Sequence, residues 1–150
     1  MSSTCDLETI QHMQSHLGVF HVCNFFELLA FAEAAYEEQR PEILECPMCL
    51  NFLGIGYTFG EGLAQDACKG LALVKKASDL GLKKAAYNLY RIYKDGDVIG
   101  KDLELSLKYC ERAAELGDCD ASKKIQEMRQ LVRSKKIMNS VQDRFSTEDE

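Results

Sequence analysis

LGIGYTFGEGLAQD, at residues 53–66, and LYRIYKDGDVIGKD, at residues 89–102, are the two stretches that decide the fold. The second begins 36 residues after the first, and leucine, tyrosine, glycine and aspartate recur in it at the same positions. The ends of the two units match as well, as KKASDLG at residues 75–81 and CERAAELG at residues 110–117. An internal repeat of this length indicates a stacked repeat protein.

Each repeated residue type has a structural role. Ala85, Leu89 and Tyr93 fall four positions apart, so they lie along one stripe of a helix. Gly96 ends that helix, and the carboxylate of Asp102 accepts the first backbone N–H groups of the next. The predicted unit is therefore helix, glycine turn, helix and glycine stop. Because one such pair cannot bury its apolar stripes alone, successive pairs are predicted to stack.

The string L-G-x-x-Y-x-x-G-x-G-x-x-x-D, closed by A-A-x-x-G, resembles the Sel-1-like repeat family, which is related to the tetratricopeptide repeats. The first unit matches well, whereas the second has Tyr90 where glycine is usual and Asp97-Val98 in place of the second glycine. Gly70 and Ser106 stand where the family usually has alanine. The resemblance covers residues 47–122 and implies that the helix pairs form a right-handed superhelix.

The predicted fold class is all-α, an α/α solenoid (superhelix) of antiparallel helix pairs with about seven helices. One helical-repeat domain is expected over residues 1–138. Its parts are a degenerate N-terminal helix pair at 7–40, repeats at 47–81 and 83–117, and a C-terminal capping helix at 119–137. Residues 139–150 are predicted to form a disordered tail.

The N-terminal pair is predicted from weaker signals. Helices are expected over residues 7–22 and 26–38, with a shortened turn around Asn24. Leu17-Gly18 falls at the repeat phase of Leu53-Gly54, and Arg40-Pro41 is expected to stop the second helix.

Composition narrows the class of function. Apolar residues make up 46% of the chain, and the net charge is −6 with no basic stripe interleaved with aromatic residues, so nucleic acid is not an expected partner. No apolar run approaches the ~20 residues of a membrane span, so no membrane partner is expected either. The seven cysteines, with no signal-like start, favour free thiols, no disulfides and a cytoplasmic location.

One cysteine pair has the spacing of a metal or redox site. Cys46 and Cys49 form C-x-x-C, and His12 and His16 are spaced to lie on one helix face. If the N-terminal helix folds back, these four side chains could complete a zinc site. Cys49, however, is in register with a small packing residue in each later unit, which favours a buried structural cysteine. A small thiol or zinc-binding protein is the alternative function.

The preferred interpretation is a non-catalytic adaptor that binds a peptide or partner protein on the concave face of the solenoid. No nucleophile, phosphate-loop or acidic metal motif indicates an enzyme, and no cofactor is predicted. One face of the first repeat helix is apolar at Met48, Phe52, Ile55 and Phe59. It is expected to pack on the N-terminal pair; the alternative is that part of it lines the concave groove and receives an apolar helix or peptide. A self-associating structural protein, such as a homodimer, stays open. The candidate partner-binding residues are Asn51, Ile55, Lys84, Asn88 and Arg91.

Overall fold

The protein is helical throughout the part of the chain that can be described. The computed structural model describes residues 7–18 and 24–147, and this part forms eight α-helices and no strand. The helices are α1 (Leu7–Leu17), α2 (Phe25–Glu37), α3 (Pro41–Leu44), α4 (Pro47–Phe59), α5 (Ala67–Asp79), α6 (Lys83–Asp95), α7 (Leu103–Glu115) and α8 (Cys119–Thr147).

The chain divides into two compact units, Met1–Ala86 and Tyr87–Glu150. Helix α6 begins in the first unit and ends in the second. Such a division is compatible with a repeat array, because repeats contact only their neighbours. The single repeat domain expected over residues 1–138 stays a prediction.

The turn and cap residues of the two repeats have the predicted roles. Gly60 and Gly96, at matching positions, both adopt a left-handed backbone with φ near +70°, which glycine reaches without a steric cost. Asp66 accepts the backbone N–H of Lys69 at 3.1 Å and so caps α5. Asp102 accepts two N–H groups at the start of α7. These local features end and restart the helices at the predicted positions.

Glycine brings α4 and α5 together in the first unit. Gly54 lies inside α4 and Gly70 inside α5; a Cβ on Gly54 would lie 2.8 Å from the Gly70 carbonyl oxygen. Val74 packs at the same place, with its Cγ2 2.6 Å from that Cβ position. The helix backbones therefore approach more closely than any side chain at these positions would permit. The fully buried side chains around this contact include Cys49, Leu50, Leu53, Val74 and Ala77.

Polar contacts join α2 to this helix pair. The hydroxyl of Tyr57 donates to a Glu33 carboxylate oxygen at 2.9 Å. The Lys69 ammonium donates to Glu37 at 3.0 Å and lies 4.5 Å from the centroid of the Tyr57 ring. A cation over an aromatic face adds about 0.5–1 kcal/mol where the cation keeps contact with solvent, as the half-buried Lys69 does. The predicted N-terminal helix pair is thus connected to the first repeat.

In the second repeat a serine occupies the position at which the first repeat has glycine. Ser106, at the position of Gly70, is buried and its hydroxyl donates to the Tyr90 carbonyl oxygen at 2.9 Å. Tyr93 stacks on Tyr109 with ring centroids 5.8 Å apart. The hydrogen bond satisfies a hydroxyl that would otherwise be costly to bury.

One predicted boundary at the N-terminal side needs correction, and Pro41 has a role beyond the predicted one. Helix α1, predicted over residues 7–22, ends at Leu17, where Gly18 takes a left-handed conformation with φ +68°; residues 19–22 lie outside the described part of the chain. Gly18 therefore ends a helix, whereas Gly54 lies within one. Pro41 does more than stop α2: it occupies the first turn of the short α3, a position where its missing N–H costs nothing. Asn24 caps α2 through a bond to the Phe26 N–H, which agrees with the predicted turn.

The last helix is longer than predicted. Helix α8 continues past residue 137 and ends at Thr147, since neither glycine nor proline interrupts residues 119–147. Its buried residues, Ala121, Met128 and Val132, all lie in its first half. Residues 139–147, which were predicted to belong to a disordered tail, are the end of this helix, and residues 148–150 lie outside the described part of the chain.

Candidate functional site

The start of α4 positions two cysteine sulfur atoms. Cys46 is the N-cap residue of α4, with an extended backbone, and Pro47 follows at the first helical position. The Cys46 Sγ accepts the backbone N–H of Cys49 at 3.5 Å. Cys49 faces the interior and is fully buried. The C-x-x-C spacing therefore folds into one helical turn that brings both thiols to the same place.

Helix α1 folds back onto this turn. The Nε2 atom of His12 lies 3.1 Å from the Cys46 Sγ, although 34 residues separate them. Met13 and Leu17, both buried, anchor α1 in the first unit. The ligating atoms of His12, Cys46 and Cys49 all lie within 4.8 Å of one another. The N-terminal helix thus makes the approach on which the alternative site depended.

The pKa values of the two thiols are shifted in opposite directions. The pKa of Cys46 is lowered to about 5, first by the hydrogen bond from the Cys49 thiol and further by the Cys49 backbone N–H and by His12, although burial opposes the shift. The same thiol–thiol hydrogen bond, together with burial, raises the pKa of Cys49. The arrangement favours a thiolate at Cys46 and a proton on Cys49.

A surface cavity of about 300 Å³ opens beside the cluster. It is lined by His16, Pro41, Glu42, Glu45 and Cys46. The His16 ring stacks on that of His12, with centroids 4.2 Å apart. The structure therefore brings together three of the four side chains of the alternative metal site, and places the fourth next to them on the cavity wall.

The predicted partner-binding residues lie on two helices. Asn51 and Ile55 are half-buried on α4, and Lys84, Asn88 and Arg91 are on α6, where Lys84 and Arg91 are exposed. Their assignment to a binding surface stays a prediction.

The apolar face of α4 is only partly covered. Phe52 is buried, and its ring meets that of Phe25 on α2 edge-on, with centroids 5.3 Å apart. Phe59, at the end of the same face, is 43% exposed. The N-terminal helices thus cover the middle of this face at Phe52, as expected, whereas Phe59 at its end stays exposed to solvent.

A further surface escaped the sequence interpretation. Beyond Val132, α8 exposes a row of apolar side chains that we call the α8 stripe: Ile137, Met138, Val141 and Phe145. Three of them are more than 60% exposed. At about 100° per residue the four fall within an arc of about 100°, so they share one face. The sequence has this helical spacing, but its position at the end of the chain predicts a disordered tail.

Comparison with solved structures identifies the fold. A Sel1 repeat protein from Oxalobacter formigenes superposes on 78% of this chain with a TM-score of 0.58 and 20% sequence identity. The protective antigen c5321 of uropathogenic Escherichia coli, which displays an SLR fold, superposes on 81% with a TM-score of 0.60 and 17% identity. The chain has the fold of Sel1-repeat proteins. It spans 45% of the length of the first structure and 25% of the second.

The Sel1-repeat fold confirms the predicted resemblance and the predicted class, an all-α solenoid of antiparallel helix pairs. The described residues form eight helices where about seven were expected, because Pro41 starts the short α3. No model of a protein family matches the sequence, and no curated protein matches it. Among the helices of the described residues, none combines the length and apolarity that crossing a membrane requires.

Proposed function

We propose that the chain is a non-catalytic protein–protein interaction module whose Sel1-repeat fold presents a surface for an apolar helix or peptide of a partner protein. Repeat solenoids bind through extended surfaces built from successive helices, which supports this class of function. The net charge of −6 gives no support to nucleic acid as a partner.

The observation that carries the proposal is the α8 stripe. Met138 and Phe145 are 69% and 67% exposed, and nothing in the described part of the chain covers them. Exposed apolar side chains that form a contiguous face generally mark a contact surface. Each would contribute about 1.5–3 kcal/mol if a partner buried it fully.

The charged residues beside the α8 stripe indicate which kind of partner would fit it. On the helical wheel Arg133 and Arg144 flank the α8 stripe on one side and Lys135 on the other. This local excess of positive charge stands out in a chain that is negative as a whole. The complementary partner is an amphipathic helix whose apolar row is bordered by acidic residues.

The concave face of the repeats is the second proposed surface, with Asn51, Ile55, Lys84, Asn88 and Arg91 as its contacts. Lys84 and Arg91 are exposed and lie on one side of α6, which supports a role in contacting an acidic partner.

The test compares two charge-matched double variants of the full chain. Met138→Asp/Phe145→Asp puts two carboxylates into the α8 stripe. Asn139→Asp/Ser146→Asp adds the same two charges at neighbouring exposed positions on the opposite face of α8. Both should retain the helical circular dichroism of the wild type, because neither changes a buried residue.

Binding is measured in two ways. Sedimentation velocity over a concentration range detects self-association. For other partners, the protein is cross-linked to the molecules that it binds, and mass spectrometry identifies them. Each variant is then titrated with the purified partner. We expect the stripe variant to lose the complex and the control variant to keep it. Equal binding by both would exclude the α8 stripe, and Lys84→Glu/Arg91→Glu then tests the concave face. A wild type that forms no complex of either kind would overturn the proposed function.

A further inference from the structure

We propose that His12, Cys46 and Cys49 bind one zinc ion, with the fourth coordination position facing the cavity lined by His16, Glu42 and Glu45. The proposal concerns a site apart from the partner-binding surfaces, so either can fail without the other.

The donor set suits zinc. Cysteine sulfur and histidine nitrogen are donor atoms that Zn²⁺ takes in its structural sites, and two cysteines with one histidine also occur as a catalytic set. Softer donors also separate this cluster from sites for Mg²⁺ or Ca²⁺, which require several oxygen ligands. Among the described residues, these three form the group of histidine, cysteine or carboxylate side chains close enough to share an ion.

The distances are close to those of a tetrahedral site. Zn–S bonds of about 2.3 Å and Zn–N bonds of about 2.0–2.1 Å place neighbouring ligand atoms about 3.5–3.8 Å apart. The His12 Nε2 and Cys46 Sγ are 3.1 Å apart, and all three ligand atoms lie within 4.8 Å of one another. The His12–Cys46 separation is thus a few tenths of an ångström shorter than a tetrahedral site requires, and the other separations exceed the required value by at most about 1 Å.

The surroundings favour bound thiolates. Cys46 is at the N-terminus of the 13-residue α4, where unpaired backbone N–H groups stabilise negative charge. One of these groups, the N–H of Cys49, already points at the Cys46 Sγ. Cys49 is fully buried and Cys46 is 6% exposed, so the sulfur ligands are shielded from bulk water.

The fourth position has room for a ligand. The cavity of about 300 Å³ reaches Cys46, and His16 and Glu45 stand at its wall. A water molecule, an imidazole or a carboxylate there would complete four-coordination. The ion would also tie α1 to α4, which are 34 residues apart at His12 and Cys46. Metal binding should therefore stabilise the N-terminal helix.

The experiment uses the reduced, metal-free full chain. Zinc is titrated against a chromogenic chelator, and cobalt is substituted to detect the thiolate-to-cobalt charge-transfer absorption. His12→Gln removes the nitrogen ligand on a half-buried helix, and Cys46→Ser removes one sulfur. Cys68→Ser is the matched control, because Cys68 is an exposed thiol in the same unit. Circular dichroism checks that each variant folds.

We expect one zinc ion per wild-type and per Cys68→Ser chain. His12→Gln should bind more than about 100-fold more weakly, since loss of a mere supporting partner of a ligand already costs about 10–100-fold. The cobalt absorption in Cys46→Ser should fall to half or less of its wild-type intensity, since Cys49 is then the one proposed thiolate ligand left. Three results would overturn the proposal: no stoichiometric zinc in the wild type, unchanged affinity in His12→Gln, or a Cys46–Cys49 disulfide as the resting form after purification without oxygen.

Discussion

Replacement of Gly70 by alanine should destabilise the first repeat, although alanine is the better helix former. An added Cβ would lie 2.6 Å from the Gly54 carbonyl oxygen and 2.5 Å from the Thr58 backbone nitrogen, and closest of all to the Thr58 hydroxyl oxygen. Ordinary contact begins at 3.4 Å, so relief of the closer backbone contact requires a displacement of about 0.9 Å. Two of the three obstacles are backbone atoms, which cannot rotate away.

The net effect follows from two opposing terms. Overpacking of a core costs about 1–3 kcal/mol, and a backbone clash lies at the upper end of that range. Alanine recovers about 1 kcal/mol over glycine within a helix. We therefore expect Gly70→Ala to lower the free energy of unfolding by about 2 kcal/mol and the Tm by about 4–8 °C.

Urea denaturation followed by far-ultraviolet circular dichroism measures this change. Gly100→Ala is the control, because a Cβ there meets no atom within 4 Å. Addition of Thr58→Ala to Gly70→Ala should restore little stability, since the two backbone contacts remain. A Gly70→Ala protein that is more stable than the wild type would show that helix propensity prevails and that the close approach of α4 and α5 is not as described.

Three further outcomes are expected. Asp102→Ala should cost about 1 kcal/mol of unfolding free energy in urea denaturation, because the first N–H groups of α7 lose their acceptor; no change would mean that the cap is not formed. Ser106→Ala should cost about 0.5–1.5 kcal/mol in the same assay, since the bond to the Tyr90 carbonyl is lost, and a neutral result would contradict that bond. In hydrogen exchange on the monomer, the amides of α8 as far as Val132 should be protected, and those between Val132 and Thr147 should exchange rapidly. The reason is that a helix without packing is only marginally stable in water. Uniform protection along α8 would contradict this expectation.

The candidate sites show where sequence reasoning reaches its limit. The C-x-x-C spacing and the two histidines were visible, and so was the chance of a shared site. Repeat register nevertheless favoured a structural role for Cys49, because register describes packing and cannot place α1. The α8 stripe was missed for a different reason: a polar sequence without a packed partner resembles a disordered tail, and only its continuous helix aligns the apolar residues on one face.

The sequence by itself determined the repeat unit of this protein. Gly60, Gly96, Asp66 and Asp102 act on backbone groups within a few residues of themselves, so their effect is written locally and recurs wherever the pattern recurs. The tertiary structure alone decided how near the helices come, as at Gly54 and Gly70, and that His12 reaches Cys46. Both contacts depend on how side chains that are distant in sequence pack together in one region of the core. A local sequence pattern does not specify that packing.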